Sequence, residues 1–368
     1  MVFDYVDGGA GEELTLQANT SAFRRLTFHP RTLVDVAERR LETSVCGQRL
    51  SFPVVLAPTG LPGLIAPAAE VAAARAARAA GTVLTLSAAG SRSIGEVAAA
   101  VGSGWWFQLA PWRDQAVTQA LLDRARAGGA GLLMVTVDMA VFAERPRDVR
   151  HGLTLPLRPS LRTVLGAAAR PAWVLAQLRE QAPFLGSLTE TGLVEASDPV
   201  ALVRHLKEHL VDPSATWAEL AWIRARWDGP LLVKGVLTVE DARRAVDEGA
   251  NGVVVSNHGG RQLDGVPASL DALGPVAEAV GSEVDILVDG GVRSGRDVAK
   301  ALARGARACL VGRPWLYGLG AAGEAGVAHV LHLLRDDLDR TLALLGCRSV
   351  EELGPDVLAA ARRAAAVP

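Results

Sequence analysis

From residue 53 onward, short apolar runs rich in β-formers alternate with amphipathic stretches of helical period. The runs fall at 54–58 (VVLAP), 82–88 (TVLTLSA), 105–110 (WWFQLA), 132–138 (LLMVTVD), 231–236 (LLVKGV), 252–258 (GVVVSNH), 285–291 (DILVDGG) and 306–313 (ARACLVGR). Helical patterns lie between them, at 69–80, 93–101, 114–127, 216–227, 239–248, 269–280 and 295–304, with an eighth at about 324–345. Several open on a residue able to accept from the first free backbone N–H groups: Ser93, Asp114, Thr216, Thr238 and Ser294. Near-continuous apolar strands separated by helices indicate a parallel sheet covered on its outer face. Eight such units favour a (β/α)8 TIM barrel over a doubly wound sheet.

Two regions depart from this rhythm. Residues 1–50 form a polar, mixed lead-in whose apolar positions have no sustained period. Residues 139–215 interrupt the alternation after the fourth strand. An insertion there sits above the C-terminal face of a barrel, where it can act as a lid or remain an inert surface excursion. A third reading is a membrane-touching flap. Leu161, Val164, Leu165, Trp173, Val174, Leu175 and Leu178 can form one apolar face, with Arg162, Arg170 and Arg179 beside it.

Composition narrows the class without changing the fold. The chain has 368 residues, 49% hydrophobic and 21% charged, and the barrel pattern makes 1–368 one domain carrying the 139–215 insertion. A net charge of −2 with no basic block argues against nucleic acid. Cys46, Cys309 and Cys347 are odd in number and far apart, which excludes a disulfide framework and suits a reducing cytoplasm. The start, Met1-Val2-Phe3-Asp4-Tyr5, does not read as a signal peptide, and no apolar run approaches the ~18 residues of a membrane span. The expected location is cytoplasmic, with peripheral contact at the inner membrane face if the insertion is a flap.

In a barrel the chemistry sits at the C-terminal strand ends. Those ends carry Pro58-Thr59-Gly60, Ser87, Gln108, Thr136, Asp138, Lys234, Ser256-Asn257-His258, Asp289-Gly290-Gly291 and Gly312-Arg313. Structural positions there would be mostly apolar, so this polar set reads as a site. Asp289-Gly290-Gly291-Val292-Arg293 before Ser294, with Gly312-Arg313 on the next strand, is a phosphate-site pattern of glycine N–H groups, a helix N-terminus and guanidinium groups. No G-x-G-x-x-G follows a first strand, so a nicotinamide Rossmann domain is not supported. Lys234 reads as a Schiff-base nucleophile, a carbonyl polariser or a cation facing an anionic ring. His258, after three valines and three residues before Arg261, reads as a general base, and Asp138 is the candidate to orient it. No His/Asp/Glu cluster has metal-ligand spacing.

These motifs resemble the FMN-dependent 2-hydroxy acid dehydrogenase/oxidase family, which includes glycolate oxidase, flavin-type lactate dehydrogenase and (S)-mandelate dehydrogenase. The likeness runs from FDYVDGGAGEELTL through LAPTGL, FQL, TVD, LVKGV, SNHGGRQLDG, DGGVRSGRDV and GRPWLYGL to GCRSVEEL, and its wording is nearest the mandelate and bacterial lactate enzymes. It implies FMN held by Pro58, Thr59, Gly60, Ser87, Gln108, Thr136, Lys234 and Ser256, with the phosphate on Gly290, Gly291, Arg293, Gly312 and Arg313, beside Asp289. It implies that Lys234 faces the N1–C2=O edge, that His258 takes a proton during oxidation, and that Asp138 pairs with the imidazolium. Arg261 and Arg145 would clamp a substrate carboxylate, and Tyr5 would hydrogen-bond the substrate. The implied partners are a small 2-hydroxy acid and an electron acceptor (a quinone, another carrier or O₂), and family likeness suggests a homotetramer.

Three departures stand out. Ala110 occupies the place of the family's second active-site tyrosine, in FQLAPW, which removes a hydrogen bond and frees space for a bulkier substrate, with Trp112 nearby. Strand two ends Ser87-Ala88-Ala89, without the aromatic residue of glycolate oxidase, and the family's helix before Tyr5 is missing. Gly60 matches the dehydrogenase members, whereas many oxidases carry Ala. The competing readings are an H₂O₂-producing oxidase, a flavin-binding barrel that no longer oxidises hydroxy acids, and a Schiff-base aldolase on Lys234.

Overall fold

The computed structural model describes residues 2–152, 161–180, 185–192 and 211–359. Its centre is eight parallel strands: β1 (Val54–Leu56), β2 (Thr85–Ser87), β3 (Trp106–Leu109), β4 (Leu132–Thr136), β5 (Leu231–Val236), β6 (Gly252–Val255), β7 (Asp285–Val288) and β8 (Ala308–Val311). Ladders join β2 through β8 in sequence and return from β8 to β1. A parallel bridge between Leu56 and Leu84, with the Leu56 N–H donating to the Val83 carbonyl at 3.0 Å, closes the last seam. The chain is the expected (β/α)8 barrel, with strands shorter than the apolar runs.

Strand periodicity explains how such a fold presents a site. Side chains two residues apart share a face. One set, including Val55, Trp106, Leu132, Met134, Leu232, Val254, Leu287, Ala308 and Leu310, packs into one buried cluster inside the barrel. The alternate residues, such as Leu133, Val135, Val233 and Val253, belong to the larger cluster under the helices. Continuing the inward set by one step of two toward the C-terminal ends reaches Gln108, Thr136, Lys234, Ser256 and Asp289. The inner face is apolar below and polar at its top layer.

All five expected caps are present: Ser93, Asp114, Thr216, Thr238 and Ser294 each accept from a backbone N–H two or three residues on. The last helix corrects the sequence reading. It runs Arg313–Leu345, starting well before 324, with a break at Ala322 and Gly323. There the backbones of Gly318 and Gly326 meet where a Cβ on either would clash, so the glycines that hide the helical period are the ones that allow the contact.

The lead-in is more ordered than its pattern implies. Helices span Val2–Asp7 and Leu14–Arg25, the second burying Thr15, Asn19, Ala22 and Phe23. Tyr5 therefore lies within a helix. A hairpin, Thr43–Val45 with Gln48–Leu50, plugs the N-terminal mouth: Val45 and Leu50 join the inner cluster, and Gln48 accepts from Trp106 Nε1 at 2.7 Å. Its turn residues Cys46 (φ 47°) and Gly47 (φ 81°) are both left-handed, as a tight two-residue hairpin requires.

Within 139–215, helices cover Pro146–Arg150, Leu161–Ala168, Pro171–Glu180 and Gly186–Thr189. Two of them dock on loops at the barrel's C-terminal face. Trp173 Nε1 and Gln177 Nε2 donate to the carbonyls of Ile65 and Gly63, at 3.0 and 2.8 Å. The Gly186 N–H donates to the Ser91 carbonyl, and Glu190 accepts from the Gly95 N–H. Val164, Leu165, Leu175 and Leu178 point outward, 47–68% exposed. Trp173 does not share that face, because its indole is turned in toward Ile65. Residues 153–160, 181–184 and 193–210, and the side chains of Leu161 and Arg162, lie outside the described residues.

Glu70, in the helix Ala69–Ala79, ties these loops from below. It is fully buried, and its carboxylate accepts from the Ser91 and Arg92 N–H groups at 2.6 and 3.1 Å. Burial pushes its carboxyl up to about 7 despite those bonds. The native state therefore holds a proton that the unfolded chain releases above its ordinary carboxyl range. Stability from this group is full below about pH 4.5 and falls as pH rises toward about 7, by on the order of 3 kcal/mol. Glu70→Gln is expected to flatten that slope, measured as urea midpoints between pH 4.5 and 7.5. An unchanged slope would assign it to other groups.

Candidate active site

The polar top layer forms two arcs. On one side Ser87 Oγ donates to Gln108 Oε1 at 2.7 Å, and Gln108 Nε2 donates to Thr136 Oγ1 at 2.9 Å, a neutral chain crossing β2, β3 and β4. On the other, Lys234 Nζ lies 2.9 Å from Ser256 Oγ and 3.0 Å from Asp289 Oδ2, and Ser256 Oγ donates to Asp289 Oδ1 at 2.6 Å. Burial would lower the Lys234 ammonium, but Asp289 and Asp138 outweigh it and hold its pKa above the usual lysine value. Lys234 is 3% exposed and protonated, so the Schiff-base nucleophile, which must be a neutral amine, fits poorly.

The register of β5 shifts between Lys234 and Val236, with Gly235 at φ 107°. A Cβ on Gly235 would come 2.6 Å from Asp138 Cγ, so glycine there makes room for the aspartate beside the lysine. Asp138 in turn meets His258: Nδ1 lies 3.1 and 3.3 Å from its two carboxylate oxygens. Burial would raise the Asp138 carboxyl, but His258 and Lys234 keep its pKa below the ordinary value, so it is ionised. This contact with Asp138 fixes the imidazole by Nδ1 and leaves Nε2 turned away from the carboxylate.

His258 has φ 59°, a left-handed backbone that costs a side-chain-bearing residue roughly 1–2 kcal/mol. Gly259 and Gly260 follow at 65° and 75°. The His258 N–H donates to Ser256 Oγ at 3.0 Å, which helps to hold the turn. This reversal folds the loop back across the mouth, where a Cβ on Gly260 would strike the backbone of Leu16.

The lead-in supplies the loop's other wall, through residues that the sequence reading passed over. Asn19 and Asn257 exchange two amide hydrogen bonds of 2.8 Å in a buried site. Asp264 accepts from the N–H groups of Glu12, Leu14 and Thr15, acting as a long-range cap for the helix Leu14–Arg25. Gln262 Nε2 donates to the Asp138 carbonyl at 2.9 Å, joining the loop to the strand-four end. Asn19 and Asp264 are polar residues at fixed spacing from helix starts, but their partners lie about 240 to 250 residues away.

Arg261 is held by its Nη1, which donates to the carbonyls of Tyr5 and Gly8 at 2.7 and 2.8 Å. Burial, with Arg145 and Arg313 nearby, pulls its pKa down to about 9. Arg145 stands at the start of the helix Pro146–Arg150 with its Nε buried and without a partner among the described residues. Tyr5 Oη donates to the Gly60 carbonyl at 3.1 Å. Ala110 is half-buried next to the end of β3, and Trp112 is buried, its indole N–H without a partner among the described residues.

At the β7 and β8 ends, Gly290 and Gly291 have φ 89° and 93°. Arg293 Nη1 donates to the Val292 carbonyl, and burial lowers its pKa. Arg313 makes contacts that its place in the motif does not announce. Nε donates to the carbonyls of Val6 and Asp7, Nη1 to that of Gly259 and Nη2 to that of Gly8, at 2.8 to 3.2 Å. It clasps the lead-in to the loop. Among the described residues Thr59 Oγ1 is buried without a partner, and a Cβ on Gly312 would find nothing closer than 3.9 Å. An orphaned hydroxyl, an open glycine cradle, a buried ammonium and a half-ring of hydrogen-bonding side chains suit a ligand with polar ring edges and an anionic tail.

The description "FMN-dependent dehydrogenase" belongs to the family model that matches residues 1–360. An L-lactate dehydrogenase of Chromohalobacter salexigens is 42% identical over all of this chain and 93% of its own length. An L-lactate oxidase of Nostoc sp. is 41% identical over 97% of this chain and 93% of its own. Among solved structures, the crystal structure of the monotopic membrane protein (S)-mandelate dehydrogenase superposes with a TM-score of 0.91 at 39% identity, covering 97% of this chain and 94% of that one. With a match of this extent and relatives this similar, the chain belongs to the FMN-dependent dehydrogenase family.

Proposed function

We propose that the protein oxidises an (S)-2-hydroxy acid to the 2-keto acid, with His258 as the base. The observation that carries this reading is the His258–Asp138 pair set beside two arginines and a buried ammonium. Asp138 holds Nδ1, so Nε2 accepts the substrate proton and the resulting imidazolium is charge-matched. Arg261 and Arg145 bind the carboxylate through guanidinium N–H groups not spent on the lead-in, and Tyr5 Oη reaches the same space from Gly60. FMN, when bound, supplies the acceptor for the hydrogen and two electrons that leave the α-carbon. Pro58, Thr59, Gly60, Ser87, Gln108, Thr136, Lys234 and Ser256 would line its ring system, with Lys234 as the cation at its electron-accepting edge and Asp289 fixing Lys234. Gly290, Gly291, Arg293 and Gly312 would meet its phosphate. Arg313 would border that phosphate site while holding residues 6–8.

Ala110 supports a substrate larger than lactate, since a half-buried methyl replaces a phenol at the wall. Anaerobic bleaching of the purified yellow protein is expected with mandelate and longer 2-hydroxy acids, at higher kcat/KM than with lactate. A clear lactate preference would overturn the pocket reading, and no bleaching by any 2-hydroxy acid would overturn the activity. Gly60 favours a dehydrogenase using a carrier or quinone, with slow H₂O₂ formation in air. Rapid H₂O₂ production without a dye acceptor would instead make it an oxidase.

The outward-facing Val164, Leu165, Leu175 and Leu178, flanked by exposed Arg170 and Arg179, support peripheral contact of the insertion with a membrane. No helix among the described residues is long and apolar enough to cross one. Co-sedimentation with anionic vesicles is expected to fall several-fold in a Leu165→Ser/Leu178→Ser variant, and equal binding would refute the contact.

A further inference from the structure

Asp148 has no place in the chemistry described so far, yet it sits among the groups that would clamp the substrate. It lies on the short helix Pro146–Arg150, 7% exposed, with Oδ1 buried and unpartnered among the described residues and Oδ2 4.0 Å from Arg145 Nη1. The charged groups acting on it are Arg261, Arg145, Asp4 and Arg147. Arg147 is already neutralised by Asp7 at 2.6 Å and Glu13 at 2.8 Å, and Asp4 is engaged with His151 at 2.9 Å. Arg261 meets carbonyls rather than a carboxylate. Among the described residues, Asp148 is therefore the one carboxylate serving the Arg145–Arg261 pair.

Its placement is odd for a structural ion pair. A buried carboxylate oxygen and a buried guanidinium N–H, both unpartnered, stand on neighbouring residues of one turn without bonding each other. Leaving such groups unpaired costs each its hydration. The arrangement is one of net attraction without direct contact, which a second carboxylate entering between the arginines would complete.

We propose that Asp148 is the standing counter-ion of the carboxylate clamp and sets how tightly it holds anions. It keeps two mutually repelling guanidinium groups compatible before substrate arrives. It then opposes the substrate and product carboxylates at short range, so that the keto acid is released. This inference rests on the proposed clamp and adds a residue that tunes it. Asp148 is a positioning and affinity-setting residue and takes no proton in the reaction.

The test is pyruvate binding to the oxidised holoenzyme, followed by perturbation of the flavin absorbance, together with steady-state kinetics. Asp148→Asn keeps the shape and removes the opposing charge. It is expected to tighten pyruvate about ten-fold, to lower KM for the 2-hydroxy acid, and to lower kcat through slower product release. Asp148→Glu keeps the charge and is expected to stay within about three-fold of wild type. Unchanged or weaker pyruvate binding in a flavin-retaining Asp148→Asn protein overturns the proposal. So does the loss of flavin from both Asp148→Asn and Asp148→Ser while Asp148→Glu retains it, because the charge would then be needed for the fold. If wild type neither binds pyruvate nor bleaches with any 2-hydroxy acid, the clamp itself is wrong. If wild type does both and Asp148→Asn binds no tighter, only this inference fails.

Discussion

His258→Asn is expected to lower the rate of flavin reduction by a 2-hydroxy acid by roughly 10²–10⁴-fold, the usual contribution of a positioned general base, while leaving the flavin bound. Asparagine is the informative replacement because of the backbone. At φ 59° most side chains add strain, but asparagine tolerates the left-handed region better than most residues, so the turn through Gly259 and Gly260 should survive. The bond from the residue-258 N–H to Ser256 Oγ is independent of the side chain and persists. Asp138 stays ionised beside Lys234, and an amide can still donate to it. What disappears is the ring nitrogen on the far side. Stopped-flow mixing under anaerobic conditions measures the reduction step directly, and a fall of less than ten-fold in a flavin-replete variant would remove His258 from the role of base.

Lys234→Met should act on the fold as much as on the chemistry. Lys234 and Asp289 form a buried ion pair at 3.0 Å, and Asp289 would be left with the Ser256 hydroxyl as its remaining partner. Removing one member of a buried pair typically costs about 3–5 kcal/mol, chiefly through the stranded charge. Urea denaturation of the variant should show that loss, and adding Asp289→Asn should recover a large part of it. The sign with pH is set by the raised lysine pKa. The pair's contribution is complete below the ordinary lysine range and is lost as pH rises through the higher folded value, so the deficit should be constant across neutral pH. A single variant within 1 kcal/mol of wild type would mean that the ammonium is hydrated, contrary to its burial.

The barrel was legible because its information is local. Each strand announces itself by an apolar run, five of the helices by their caps, and the polar top layer by the C-terminal ends of β2 to β7. Ser87, Gln108, Thr136, Lys234, Ser256, Asp289 and His258 could be placed at one mouth on that basis, before any partner was known. The lead-in was not legible in this way. The buried stripe of Leu14–Arg25 includes Thr15 and Asn19, polar residues whose burial is made tolerable by Gly265, Asn257 and Ser269, all distant in sequence. A period built on hydrophobicity cannot register such a stripe. The second task of Arg313 was hidden for a related reason: a guanidinium beside glycines suggests an anion, and nothing local shows that four backbone carbonyls also accept from it. Asp148 was invisible because its significance is a missing bond, and composition shows only which groups are present.

The clasp made by Arg261 and Arg313 on residues 5–8 has a consequence for how that segment can vary. Every hydrogen-bond acceptor in it is a main-chain carbonyl, so these bonds follow the path of the chain, and only the Tyr5 ring, 5.0 Å from the Arg261 guanidinium, adds a side chain to the clasp. Replacing Val6 by another apolar residue leaves each acceptor in place. Removing a single residue between Tyr5 and Gly8 moves all of them by one peptide and pulls the back wall from the mouth. At Val6 the segment should therefore tolerate changes of spelling far better than changes of length.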